Sequence, residues 1–144
     1  MLSWEELIRE CTSCKRCSLG STRTNIVIGR GNTNAPMMLI GEGPGEQEDL
    51  QGFPFVGPAG KLLDLLLSAL MIKGDDFYIA NIIKCRPPGN RVPLDEEAEK
   101  CLPFLRNQVS LIRPKIIVCL GSTAMKHILV DKDAKITQIR GRWI

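Results

Sequence analysis

The chain lacks most of the features that would fix its class at a glance. No apolar run approaches the length of a membrane span, and MLSWEELIREC at the N-terminus has neither the basic start nor the apolar core of a secretory signal, so a cytoplasmic location is expected. Charge of one sign is not in excess. Nineteen Lys and Arg against sixteen Asp and Glu leave +3, which suits occasional polyanion contact but not a protein that coats nucleic acid. The single histidine, His127, has no partner motif and reads as a packed surface residue rather than a catalyst. Internal repeats, linkers and low-complexity segments are absent. With 44% apolar and 24% charged residues over 144 positions, the expectation is one folded domain, 1–144, with one core.

Cysteine, by contrast, is plentiful. Six cysteines without an export signal read as thiols or metal ligands rather than disulfides, because the cytosol keeps thiols reduced. Cys14-x2-Cys17 lies in a stretch, 12–36, rich in Ser, Thr, Gly, Asn and Arg, where something other than packing must hold the chain down. Cys85 and Cys101 are placed to complete four thiolates. Spacing alone leaves zinc and iron–sulfur equally open. Cys11 also stands three before Cys14, but a C-x2-C-x2-C run would need its fourth cysteine where Ser21 stands, so Cys11 is assigned to the core. Cys119, inside IIVCLG, reads as a small buried hydrophobe.

Apolar runs at 37–40, 77–83 and 115–121 predict buried strands, with a short fourth one at 26–28. Helical patterns fall between and around them. Ser3 with Glu6 forms a capping box for a helix ending near Cys11; 59–70 has a broad apolar face; a helix starts at DEEAEK, 95–100, with Pro103 expected to kink or restart it; 122–129 follows the third long strand. Strands alternating with helices imply an α/β fold whose mainly parallel sheet is covered on both faces, with the ligand site at the strands' carboxyl ends.

Three segments meet at that edge: GEGPGEQED (41–49), Asn81 with 84–91, and 121–123. The glycine turn resembles a phosphate cradle, yet Glu42, Glu46, Glu48 and Asp49 would repel a phosphate. GFPFVGPAGK, 52–61, fails the P-loop pattern at Phe55 and Leu62, which excludes nucleotide hydrolysis of that type. Phe53 and Phe55, in a loop with no strand or helix periodicity, suit a stacking platform for a planar ligand. Asn81 interrupts an apolar strand, where a buried amide needs hydrogen-bond partners.

The Cys14-x2-Cys17 pair, GEGPGEQED, GFPFVGPAGKLL, ANIIKCRPPGNRVP and Cys101, in this order, closely resemble the family 4, iron–sulfur uracil-DNA glycosylases over residues 11–143. The resemblance implies a three-layer α/β/α fold with about four strands. It implies a base-excision-repair enzyme that flips uracil from single- or double-stranded DNA and hydrolyses its N-glycosidic bond, leaving an abasic site. Cys14, Cys17, Cys85 and Cys101 then match the ligands of a [4Fe-4S] cluster formed by the 11–36 segment with the 84–101 loop and helix. Gly41, Glu42 and Gly43 match the first pocket motif, Phe55 the ring that stacks on uracil, Asn81 the amide that reads it, and Glu48 the residue that crowds C5 against thymine. Better-known uracil glycosylases carry a water-positioning aspartate in the first motif. Its place here is Gly43, and Glu42 is the candidate to take over as catalytic residue. Lys84, Arg86 and Arg91 are expected at the DNA, and the protein is expected to be a monomer. Family members continue into a further strand and an H-P-S loop whose histidine supports the uracil O2, whereas this sequence ends at RGRWI; it reads as truncated at the C-terminus. The alternative is a catalytically impaired relative that binds the cluster and DNA without turnover.

Overall fold

In the structure, a computed structural model that describes residues 1–144, four strands form one sheet in the order β1-β3-β2-β4. They are β1 (Arg30–Gly31), β2 (Met37–Gly41), β3 (Phe77–Asn81) and β4 (Ile116–Cys119). β2 runs parallel to both β3 and β4, while β1 is a short antiparallel edge against β3. The strand expected at 26–28 is irregular backbone, tied to the sheet by the Val27 N–H donating to the Lys84 carbonyl at 2.9 Å; ladder pairing begins only at Arg30.

Side chains of alternating strand positions point to opposite faces. One face carries Met38, Ile40, Tyr78 and Ala80, which pack with Leu102, Leu105 and Ile112 of α5 (Asp95–Ile112) and Ala124 of α6 (Ser122–Leu129). The other carries Leu39, Phe77 and Ile79 against Leu67 of α4 (Pro58–Ala69). Helices on both faces make the three-layer α/β/α architecture. At the N-terminus, α1 (Trp4–Thr12) starts with the capping box read from Ser3 and Glu6, and its Leu7 and Cys11 pack on Phe104 of α5. Short turns of helix complete the chain: α2 (Leu19–Thr22), α3 (Glu46–Gln51) and α7 (Ile136–Ile139). No helix is long and apolar enough to cross a membrane.

Two expectations need correction. Pro103 does not restart its helix: α5 runs unbroken for 18 residues, because Pro103 and Glu99, whose carbonyl it leaves without a donor, both lie on the exposed side where water can replace the lost bond. The cover on both faces is also incomplete. α4 exposes Leu62, Leu65 and Leu66, Leu70 just beyond it is also exposed, and Ile116 and Ile117 of β4 are partly open, since β4 is an edge strand with a neighbour on one side only.

Candidate active site and metal centre

The parallel register sets the ends of β2, β3 and β4 side by side. Pairing continues past the strands, with the Ile82 N–H donating to the Gly41 carbonyl (2.9 Å), Ile83 N–H to Glu42 (3.2 Å) and Leu120 N–H to Ile40 (2.8 Å). This draws the glycine turn against the segment after β3. A side-chain carbon at Gly41 would meet Asn81 Oδ1 and the Phe55 ring tip, each at 2.6 Å, so only glycine lets these two groups converge. One at Gly43 would meet Ile83 Cγ1 at 2.6 Å, so a larger residue there would require Ile83 to move. The N–H groups of Glu42 and Gly43 donate to no protein acceptor.

Asn81 is 2% exposed, and its Oδ1 has no hydrogen-bond partner. A buried amide oxygen left open carries a desolvation cost of about 1–3 kcal/mol, which a ligand donor would relieve. Glu42 projects toward the N-terminus of α6, where Thr123 Oγ1 donates to its Oε2 at 2.5 Å. Both line a cleft of about 480 Å³ shared with Ser122, Lys126 and His127. The sequence places 121–123 at this edge but gives Thr123 no role; its signal is the G-S-T that follows a strand there.

Phe55 adopts a left-handed backbone with φ of 55°, a conformation that costs a non-glycine residue about 1–3 kcal/mol unless its surroundings enforce it. Two side chains enforce it. Arg30 donates through Nε to the Pro54 carbonyl (2.8 Å) and through Nη2 to the Phe55 carbonyl (3.2 Å). Glu48 accepts from the N–H groups of Val56 (3.1 Å) and Gly57 (2.7 Å) with one oxygen and from Gly45 (3.0 Å) with the other. Glu48 therefore braces the loop that carries Phe55. Glu48→Ala strands these donors and should lower the thermal midpoint by roughly 5–10 °C, for about 2 kcal/mol lost, in a calorimetric scan. The aromatic that packs at the site is Phe55; Phe53 is 54% exposed. Asp49 accepts from the N–H groups of Thr24 (2.9 Å) and Asn25 (3.1 Å), so of the loop's acids only Glu42 and the exposed Glu46 are free of backbone duty.

The thiols of Cys14, Cys17, Cys85 and Cys101 line one cavity together with Arg23 and Lys84. No three of the chain's His, Cys, Asp or Glu side chains converge closely enough to hold a single metal ion. Four thiols lining one cavity are the donor set of a zinc or iron–sulfur centre. Burial pushes the Cys85 thiol up and the Cys101 thiol up to about 11, so a metal would have to displace their protons. The cations fit that purpose. Arg23 Nη1 donates to Cys85 Sγ (3.2 Å) and to the Cys14 carbonyl (3.1 Å), and its Nη2 to the Thr12 carbonyl (2.8 Å), which stitches the irregular segment to the far ligand. Cys11 stays in the core, as read, and Cys119 is half-buried in β4.

Of the three basic residues expected at DNA, Lys84 is the clear exception. It is 1% exposed and its Nζ donates to the Asn81 carbonyl at 2.8 Å, so it cannot touch a phosphate. Arg86 is half-buried and held by Asn90 Oδ1 at 2.7 Å; Arg91 lies at the surface but forms a two-bond pair with Glu97, at 2.9 and 2.7 Å.

The family described as Uracil DNA glycosylase superfamily matches residues 28–144 of this chain. The chain is 48% identical over 139 residues to the Type-4 uracil-DNA glycosylase of Archaeoglobus fulgidus, covering 96% of this chain and 70% of that protein. It is 46% identical over 136 residues to the one of Thermotoga maritima (94% and 69%) and 44% identical over 146 residues to the one of Sulfurisphaera tokodaii (99% and 66%). It thus spans about two thirds of the length of these relatives. A match that begins before the first strand and takes in every segment at the sheet edge is a match of the site as well as the scaffold: this chain belongs to the uracil DNA glycosylase superfamily, among its type-4 members.

Proposed function

We infer that the chain removes uracil from DNA by hydrolysing its N-glycosidic bond, as a base-excision-repair glycosylase. The observation that carries this reading is the buried, unpartnered Asn81 Oδ1 beside the Phe55 ring, across a glycine that leaves room for both. A base flipped out of the stack would lie on Phe55 and offer uracil N3–H to Oδ1 and O4 to the amide nitrogen. As the bond to the sugar breaks, negative charge develops on the departing base, and the free N–H groups of Glu42 and Gly43 are donors poised to stabilise it. Glu42, with one oxygen held by Thr123, keeps the other for a water and a negative charge near the cationic sugar.

A [4Fe-4S] cluster held by Cys14, Cys17, Cys85 and Cys101 would pin the irregular N-terminal segment to the loop after β3; it supplies structure to this reaction. Contact with DNA would come from Arg86 and Arg91 and would weaken with salt.

The test is cleavage of a single-stranded oligonucleotide carrying one uracil. Release of free uracil and an abasic site by the purified, brown protein supports the reading; binding without turnover would favour the impaired-relative alternative. Glu42→Gln is expected to reduce single-turnover cleavage by roughly a hundredfold with little change in oligonucleotide affinity. Equal single-turnover rates would remove Glu42 from the catalytic role.

A further inference from the structure

Lys84 stands between the thiol cavity and the amide that faces the base. It lines the cavity, and its Nζ donates to the Asn81 carbonyl at 2.8 Å. No carboxylate pairs with it; the chain's five ion pairs all lie elsewhere. An ammonium 1% exposed and without a counter-anion is strongly disfavoured. Thiolates made anionic by a bound metal cluster are the one source of negative charge its surroundings offer. The side chain of Asn81 has no protein hydrogen bond of its own, so its orientation depends on how firmly its backbone is held where β3 ends.

We propose that Lys84 is a positioning residue that couples the cluster to the base pocket: its ammonium, balanced by the cluster's thiolates, clamps the Asn81 carbonyl and so fixes the amide that reads uracil. The coupling rests on the proposed function for the identity of both the cluster and the base. By linkage, filling the cavity and ordering the pocket favour one another. It also gives Lys84 a reason to be lysine in a strand end otherwise made of Ile82, Ile83 and Cys85, where an apolar residue would pack at no cost.

The experiment compares anaerobically purified parent with Lys84→Met in the full chain. Three quantities are read: iron per chain, cluster reduction potential, and affinity for an oligonucleotide carrying one 2′-fluoro-2′-deoxyuridine, which resists cleavage, relative to its 2′-fluoro-2′-deoxycytidine counterpart. Lys84→Met is expected to keep its iron, to show a more negative potential because a neighbouring cation is gone, and to lose about tenfold in uracil preference. Affinity for the cytosine oligonucleotide should hold, since Lys84 does not reach the surface. If Lys84→Met retains no iron, parent protein stripped of its cluster by a chelator takes its place, with the same expected loss of uracil preference. An unchanged potential in the iron-bearing variant, or an unchanged uracil preference in either protein, overturns the coupling. A parent with no cluster or no uracil preference overturns the proposed function itself, and the coupling with it.

Discussion

Asn81→Ala is expected to lower uracil excision by about a thousandfold or more while leaving the thermal midpoint within a few degrees of the parent. The two halves of this result have one cause. Asn81 sits in a buried strand, where an amide with an unpartnered oxygen costs stability, so removing it relieves about as much as the small cavity left behind takes away. Sites built to hydrogen-bond a substrate, by contrast, discriminate by factors of about 10⁴, because the missing partner leaves buried polar groups unpaired in the complex. Single-turnover cleavage and a calorimetric scan on the same preparation check both halves. A midpoint lowered by 10 °C or more, on the order of 3 kcal/mol, would mean that Asn81 is chiefly a structural residue and would remove it from the pocket.

Cys85→Ala is the second large effect. It should abolish the brown colour and the bound iron and lower the thermal midpoint by about 15 °C or more, corresponding to at least about 4 kcal/mol of metal-linked folding energy. Cys11→Ala, which removes a core thiol outside the cavity, should keep its iron and lose only about 1 kcal/mol. The loss in Cys85→Ala should be uneven along the chain. Segment 12–29 is held partly by bonds that need no metal, among them Asp49 to Thr24 and Asn25, Val27 to Lys84, and Gln108 Nε2 to the Ile28 carbonyl at 2.9 Å. Hydrogen exchange should therefore quicken most at 12–23, where the bond of Arg23 to Cys85 Sγ is itself lost and the other Arg23 bonds stay within the segment, and least in β2 and β3. Uniform acceleration would assign the cluster to the global core instead. Iron retained by Cys85→Ala would take this residue out of the ligand set.

Much of this site was legible in the residues because it is built from local patterns. Continuous apolar runs alternating with amphipathic ones specify a parallel sheet, and a parallel sheet puts every strand's carboxyl end on one edge; glycines in 41–45 and Asn81 then had to meet there. The cysteine spacing and the rejection of a P-loop likewise needed only chain positions. What misled was charge. Lys84 read as a surface cation because lysines are almost always solvated, and its burial depends on four cysteines contributed by three separate segments. The bracing role of Glu48 was not legible because its partners, the N–H groups of Val56 and Gly57, lie eight and nine positions ahead in a loop whose turn no propensity announces. Thr123 and Arg30 act across 81 and 25 residues of chain, respectively.

The sequence by itself determined the layers, the sheet edge and the set of thiols, since hydrophobic period, glycine placement and ligand spacing are properties of neighbours along the chain. Only the tertiary structure decided which polar groups are occupied and which are left open. Glu48, Asp49 and Arg30 are consumed in holding backbone, Lys84 is turned inward to the Asn81 carbonyl, and Asn81 Oδ1 is left without a partner. Hydrogen-bond satisfaction is settled by distances between segments far apart in sequence, and at this sheet edge it separates the acids that build the loop from the one, Glu42, free to act beside a base.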